Sequence, residues 1–133
     1  MKESKIVKAV LIISGIIGVI VGGSNLIIPI EFNASSGIDL QGNISLINEI
    51  RASGGGLLFV GIFILLGTFI KKLAYSSTLL ATLIYLAYGF SRGLSIYIDG
   101  MPSDDLLYVV VFELIVGFIS LITLLKYGNI NDK

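Results

Sequence analysis

The 133-residue chain contains no cysteine and no histidine. These absences exclude disulfides, zinc sites of the Cys/His type, histidine-ligated haem, cysteine nucleophiles and histidine general bases. Acid–base chemistry would therefore depend on carboxylates, tyrosines, lysines or water. Oxygen ligands for a hard cation remain, with Asp39, Glu49 and Asp99 among them, but no segment has the spacing of a calcium-binding loop. We predict no metal site and no cofactor.

Charge is also scarce in this chain. Charged residues make up 14% and hydrophobic residues 55%, whereas soluble domains carry about 25% charged residues. The formal net charge is zero, which leaves no basic surface for nucleic acid. Because about 20 apolar residues cross a bilayer core as a helix, we predict an all-α, polytopic membrane four-helix bundle that forms one domain over residues 1–133. The predicted spans are Ala9–Ile30, Ile50–Ile70, Leu73–Ile98 and Leu106–Leu125.

The lysines predict the orientation of these spans. With both termini on one side of the membrane, all seven lysines fall on that side, and the opposite loops carry acidic residues. The positive-inside rule then places both termini in the cytoplasm and the acidic loops outside.

The outer loops contain signals for turns and helix starts. Asp99-Gly100 followed by Pro102 predicts a turn, and Ser103 is placed to cap the fourth helix. In the longer first loop, we expect a short interfacial helix that runs from Ile44 into the second span.

Small residues mark places where helices can approach closely. Ser14, Gly18 and Gly22 recur every fourth residue on the first span, which favours packing within the bundle. A homo-oligomer through Gly18 and Gly22 is the alternative. The run Gly54 to Gly56 is not a phosphate loop, because the Lys and Ser/Thr that complete that motif do not follow it. We expect these glycines to admit a neighbouring backbone or a bulky ligand.

The two arginines do not follow the pattern of the lysines. Arg51 and Arg92 both lie in the outer half, where a charge costs about 2.5–3.5 kcal/mol unless it is paired or hydrated. At about 1.5 Å per residue, Arg92 lies about 9 Å and Glu113 about 10.5 Å below the outer boundary, so adjacent antiparallel helices would place them at one level. Together with Glu49 and Asp99, these residues predict an outer layer of three acids and two bases.

Helical phase gives each of the last three spans a predicted interior face. On the third span, polar residues follow steps of three or four: Thr78, Thr82, Tyr85, Gly89, Arg92 and Asp99, with Tyr88 and Ser95 beside them. The other two faces carry Glu113, Gly117, Ser120 and Leu124 on the fourth span, and Glu49, Ser53, Gly56, Val60 and Phe63 on the second. Arg51 is about 200° round from Glu49, so we expect it to bond the loop or a different helix.

Three short segments together resemble one family. They are "NEIRASGGG", "FSRGLSIYIDGMP" and "VFELIVG", in this order along the chain. These segments resemble the bacterial family known as domain of unknown function 4345, whose members are small four-span membrane proteins. The shared features are a Glu-x-Arg before glycines, a later Arg, an Asp-Gly-x-Pro turn and a Glu in the last helix. The resemblance covers nearly the whole chain and implies a bacterial inner membrane, but the family name implies no activity. The family-type positions are Glu49, Arg51, Gly55, Gly56, Arg92, Asp99, Gly100 and Glu113.

These observations predict a charged pocket in the outer half of the bundle. In that pocket, Arg51 and Arg92 would hold an anionic or carbonyl group, and Glu49 and Glu113 would orient them or bind a proton. Two tyrosines of the third span would line the floor, and the triple glycine would leave room. The ligand-binding candidates are Glu49, Arg51, Ser53, Gly55, Gly56, Tyr85, Tyr88, Arg92, Asp99 and Glu113.

The leading function for such a pocket is the binding of a small molecule or a lipid. One alternative is a structural or interaction subunit whose buried ion network only sets the register of the helices. A second alternative is a membrane-embedded enzyme that uses carboxylate and arginine chemistry, although a protein without catalytic activity is favoured. An ion path is disfavoured, because the inner half shows no matching charges.

Overall fold

The computed structural model describes residues 1–128, all of whose regular structure is helical. The helices are α1 (Lys5–Ile27), α2 (Pro29–Ala34), α3 (Ile44–Phe69), α4 (Ala74–Asp99) and α5 (Asp104–Tyr127), with a 3₁₀ turn at Lys71–Leu73 between α3 and α4. The four helices other than α2 are long and apolar enough to cross a membrane. The predicted all-α bundle with four membrane-spanning helices is therefore confirmed as a fold class.

Proline determines where the first long helix ends. α1 stops at Ile27, three residues before the predicted end of the first span, and Pro29 occupies the first turn of α2. Proline has no backbone N–H and clashes with the preceding turn, so it is tolerated only at a helix start. The chain turns at this point, and the six residues of α2 lie across the end of the bundle opposite Lys2 and Tyr127, which hydrogen-bond to each other. We call this end the α2 end.

The other helix boundaries follow from local capping groups. α3 begins at Ile44, where a helix start was predicted, and the side chain of Asn43 accepts a hydrogen bond from the Leu46 N–H at 3.0 Å. Gly100 ends α4 with φ of +102°, a conformation that favours glycine, which confirms the predicted turn. Ser103 lies at the start of α5, but its Oγ donates to the Ser36 carbonyl at 2.9 Å. Ser103 is therefore the N-cap residue of α5, as predicted, but its side chain makes no capping bond and ties α5 to the segment after α2.

The helices associate most extensively as two pairs, α1 with α3 and α4 with α5. Glycines bring α1 and α3 together: a Cβ on Gly18 would lie 3.0 Å from the Gly61 Cα, and a Cβ on Gly61 would lie 2.6 Å from the Val19 N. Gly22 is likewise buried against the α3 backbone. The small-residue face of α1 is thus used within the chain. Self-association through Gly18 and Gly22 stays a proposal, and it would have to displace α3.

The two pairs meet near the termini and diverge toward the α2 end. Leu11, Ile64 and Ala81 are fully buried where the pairs meet. One helical turn after Ala81, the Tyr85 hydroxyl donates to the Ser14 carbonyl at 2.6 Å and joins α4 to α1. Beyond this bond, toward the α2 end, the bundle encloses a cavity.

Candidate functional site

An interior cavity of about 310 Å³ lies between the two helix pairs at the α2 end. Tyr85 forms part of its wall nearest the core, and Phe32, Asn33 and Ile38 from α2 and the following segment line its opposite end. Its volume falls near the lower limit of small-molecule pockets, which occupy about 300–1,000 Å³. Most of the lining is apolar: Ile17, Val21, Ile50, Leu57, Ile84, Leu106, Val109 and Phe112.

An ion pair between α4 and α5 forms part of the cavity wall. The Arg92 Nε donates to the Glu113 carboxylate at 3.1 Å to Oε2 and 3.3 Å to Oε1. Glu113 is 9% exposed, and the Arg92 side chain is 38% exposed. The prediction that these two residues lie at one level is confirmed. Because each residue neutralises the other, the pair brings no net charge to the cavity.

Hydroxyl groups add polarity to the same wall. The Tyr88 ring lies beside Arg92, whose Cζ is 5.9 Å from the ring centroid, a distance suited to a cation–π contact. The Tyr88 and Ser53 hydroxyl oxygens are 3.4 Å apart and connect α4 with α3. Tyr85 and Tyr88 both line the cavity, as predicted for the two tyrosines of the third span.

Two asparagines of the cavity were missed in the sequence. The Asn33 side-chain amide donates to the Asn25 Oδ1 and to the Pro29 carbonyl, both at 2.8 Å, and the Asn25 amide donates to the Val21 carbonyl at 3.2 Å. These bonds fix α2 on the end of α1. The signal available in the sequence was the placement of two amides on either side of Pro29, at the edge of an apolar span.

The predicted layer of five charges does not form a network, because only one of its ion pairs forms. Within residues 1–128, Arg92 and Glu113 form the sole ion pair among these charges. Arg51 donates to the carbonyls of Leu26 and Ile27, where the end of α1 leaves acceptors unpaired. This confirms the expectation that Arg51 bonds a different helix. Glu49 is exposed, and Asp99 is an exposed acceptor for the Ser95 Oγ at 2.8 Å.

The predicted interior face of α3 is also wrong. Gly56 is exposed, and a Cβ there would meet nothing within 4 Å, while a Cβ on Gly55 would meet only the Leu26 side chain at 3.9 Å. Gly54 is the glycine of this run that packs closely, with Asn25 and Leu26 of α1 against it. The buried residues of α3 are Gly54, Gly61, Ile64 and Gly67. Close approach to α1, and not polarity, determines this face.

The cavity therefore brings together only part of the predicted set. Its lining includes Ser53, Tyr85, Tyr88, Arg92 and Glu113. The candidates that lie outside this lining are Glu49, Arg51, Gly55, Gly56 and Asp99. Among the described residues, no group of three or more acidic side chains is arranged to hold a metal ion.

Comparison with known proteins identifies a family. A family model described as "Domain of unknown function (DUF4345)" matches residues 6–124. No curated protein and no solved structure matches the chain. The matched region contains all three segments that resemble this family, including both residues of the Arg92–Glu113 ion pair. The chain belongs to the DUF4345 family.

Proposed function

We propose that this protein binds a small amphipathic molecule, either a lipid or a metabolite, in the interior cavity. The observation that carries the proposal is the composition of the cavity: about 310 Å³ of mostly apolar space. The Ser53–Tyr88 and Arg92–Glu113 contacts form a polar wall, and two asparagines lie at the α2 end. Binding sites for small molecules combine an apolar lining with a small number of such groups, which orient the ligand.

The polar wall supplies the contacts for the head of the ligand. Arg92 uses its Nε for Glu113, and no hydrogen bond within residues 1–128 involves its Nη groups. These groups are placed to donate to a ligand oxygen. Ser53 and Tyr88 add hydroxyls close by. We assign the binding of the head group to Arg92, Ser53 and Tyr88, since Arg51 is occupied at the end of α1.

The charge of the wall favours an uncharged ligand head. Arg92 and Glu113 neutralise each other, and no other charged side chain in the described part of the chain lines the cavity. A charged ligand would add an unpaired charge to a largely apolar space, which is costly inside a membrane. A carbonyl or hydroxyl head avoids this cost and still accepts from Arg92. The anionic group considered from the sequence is thus the less favoured ligand.

The lysine pattern and the family support a bacterial inner membrane with both termini in the cytoplasm. In this orientation the α2 end faces outward, and the cavity lies in the outer half of the bilayer. A ligand would then enter from the outer leaflet or from the space beyond it.

Two phenylalanine substitutions on α5 test the proposal. Val109 lines the cavity, whereas Val111 is 55% exposed on the lipid-facing side. We expect native mass spectrometry of the wild-type protein, released from membranes in mild detergent, to show a bound small molecule. Val109→Phe should lose this adduct because its ring fills the space, and Val111→Phe should retain it. A bare wild-type protein, or equal adducts on both variants, would contradict the proposal.

A structural role for the ion pair is the second candidate. Both Glu113 carboxylate oxygens lie within hydrogen-bond distance of the Arg92 Nε, so the pair suffices to hold α4 and α5 in register. In this case, exchanging the two charges would preserve stability, and no adduct would depend on the cavity. The charge exchange separates the two cases when the adduct is also measured: a purely structural pair keeps its stability with no change in adduct, whereas a pair that also binds a ligand keeps its stability and loses the adduct.

A further inference from the structure

A second space lies outside the interior cavity, between the end of α4 and the start of α5. This space, the α4 groove, has a volume of about 320 Å³. Its polar lining consists of Arg92, Ser95 and Asp99, and Met101 and Leu106 contribute to its apolar lining. Arg92 borders both spaces, but Asp99 belongs to the groove alone.

The end of α4 is an unneutralised site of negative charge. The C-terminal end of a helix carries a partial negative charge from its unpaired carbonyls. Asp99 adds a carboxylate at this end, and the last turn contains no basic residue. At the corresponding end of α1, Arg51 supplies the cation. The α4 end therefore favours a cation that the described part of the chain does not provide.

The hydrogen bonds at Asp99 leave acceptors for such a cation. The Ser95 Oγ donates to the Asp99 Oδ2 at 2.8 Å. No hydrogen bond within residues 1–128 occupies the Oδ1 atom, and the Ser95 Oγ keeps lone pairs that can accept. A group with several N–H donors could therefore bond both residues at once, whereas a quaternary ammonium could not.

A positive group lies at the other end of the groove. Arg92 precedes Asp99 by seven residues, or about 10.5 Å along the helix axis, and its guanidinium lies over the Tyr88 ring, on the side away from Asp99. Since Glu113 already neutralises Arg92, the net charge of Arg92, Glu113 and Asp99 together is negative. This balance disfavours an anionic occupant and favours one that carries a cation beside its anion.

Exposed tyrosines place the groove at the level of lipid head groups. Tyr97 on α4 is 88% exposed and Tyr108 on α5 is 74% exposed. Tyr97 lies just before the end of α4, and Tyr108 lies one turn after the start of α5. Tyrosines are enriched at the interface between membrane and water. The molecules that surround a spanning helix at this level are phospholipids.

We propose that the α4 groove binds the head group of a zwitterionic phospholipid that carries a primary ammonium. The ammonium donates to Asp99 and Ser95, the phosphate accepts from the Arg92 Nη groups, and the glycerol region rests on Met101 and Leu106. The site requires no ligand in the interior cavity. The two sites share Arg92, whose two Nη groups carry several N–H donors, so one group can serve each space.

Competition among phospholipids tests this site. The purified protein is placed in nanodiscs with equal amounts of phosphatidylethanolamine, phosphatidylcholine and phosphatidylglycerol of identical acyl chains, and native mass spectrometry then counts the lipids retained. We expect about fivefold more phosphatidylethanolamine than phosphatidylcholine, because choline carries the same charge but has no N–H donor, and a hydrogen bond contributes about 1 kcal/mol. Phosphatidylglycerol should be retained least.

Two substitutions of aspartate by asparagine provide the matched comparison. Asp99→Asn should abolish the preference, and Asp105→Asn should retain it, because Asp105 is an exposed acid at the same end of the bundle but outside the groove. Asp99 is exposed, and an unchanged far-UV circular dichroism spectrum would show that the helices persist. Equal retention of ethanolamine and choline lipids, a preference for phosphatidylglycerol, or equal effects of the two variants would overturn the proposal.

Discussion

Removal of the Glu113 carboxylate is expected to destabilise the bundle by about 1–2 kcal/mol. An unpaired arginine at the centre of a span costs about 2.5–3.5 kcal/mol. Arg92 lies about 10.5 Å from the end of α4, and its side chain is 38% exposed, so water reaches it in part and the cost is lower. Glu113→Gln keeps the size of the side chain and retains an oxygen that can accept from the Arg92 Nε. The expected loss therefore reports mainly the charge.

A double-mutant cycle measures this interaction in the folded bundle. The wild-type protein, Glu113→Gln, Arg92→Gln and the double variant are unfolded in mixed micelles by increasing the fraction of sodium dodecyl sulfate, and helicity is followed by far-UV circular dichroism. We expect a coupling free energy of about 1 kcal/mol, whereas independent residues add to within about 0.3–0.5 kcal/mol. Additive effects would refute the energetic role of the pair.

Glu49→Gln is the matched control for this cycle. Glu49 is an exposed acid, and it forms no ion pair within residues 1–128. Its substitution should change the free energy of unfolding by less than about 0.5 kcal/mol, as is usual at surface positions. A loss equal to that of Glu113→Gln would show that the assay responds to any removed carboxylate.

The same unfolding assay checks three further predictions. Gly61→Ala should destabilise the bundle by about 1–3 kcal/mol, because the new Cβ meets the α1 backbone. Gly56→Ala should stabilise it by up to about 1 kcal/mol, because the position is open and alanine has the higher helix propensity. Arg51→Gln should cost about 1 kcal/mol, because the carbonyls at the end of α1 lose a charged donor. Ser120→Ala should not destabilise, because the buried Ser120 hydroxyl has no hydrogen-bond partner within residues 1–128. Three results would contradict these expectations: equal effects of the two glycine substitutions, no change in stability for Arg51→Gln, and a loss of stability above about 1 kcal/mol for Ser120→Ala.

The membrane-spanning helices and the depth of the charged residues along them could be predicted from the sequence alone. The membrane-spanning helices follow from long apolar runs, because the bilayer fixes the required length. The Arg92–Glu113 pair follows from depth, since antiparallel spans share the same two boundaries. The buried stripe of α4, from Thr78 to Gly89, follows from polarity, because polar side chains in a span turn away from lipid.

The rotation of α3 about its axis could not be read in the same way. Its buried face consists of Gly54, Gly61, Ile64 and Gly67, and the apolar character of these residues does not distinguish them from lipid-facing neighbours. In a membrane, close packing of small residues determines such a face. The predicted face through Glu49 and Gly56 relied on polarity, and polarity at a helix end is satisfied by exposure.

The position of α2 could not be predicted from the sequence either. Pro29 indicates a break, but it does not specify that α2 folds back over the cavity. That placement depends on the Asn25–Asn33 bond and on the Ser103–Ser36 bond. Both bonds join residues that are apart in sequence and become neighbours only once the helices have packed.

Tryptophan fluorescence tests ligand binding in the interior cavity most directly. The chain contains no tryptophan, so Phe32→Trp places a single reporter in the cavity lining, and Tyr108→Trp places one at the exposed surface. Each variant in micelles is titrated with a monoacylglycerol whose chain carries bromine, which quenches tryptophan on contact. The proposal predicts saturable quenching for Phe32→Trp, its loss when Val109→Phe fills the cavity, and only linear quenching for Tyr108→Trp. Linear quenching in both variants would contradict a binding site in the cavity.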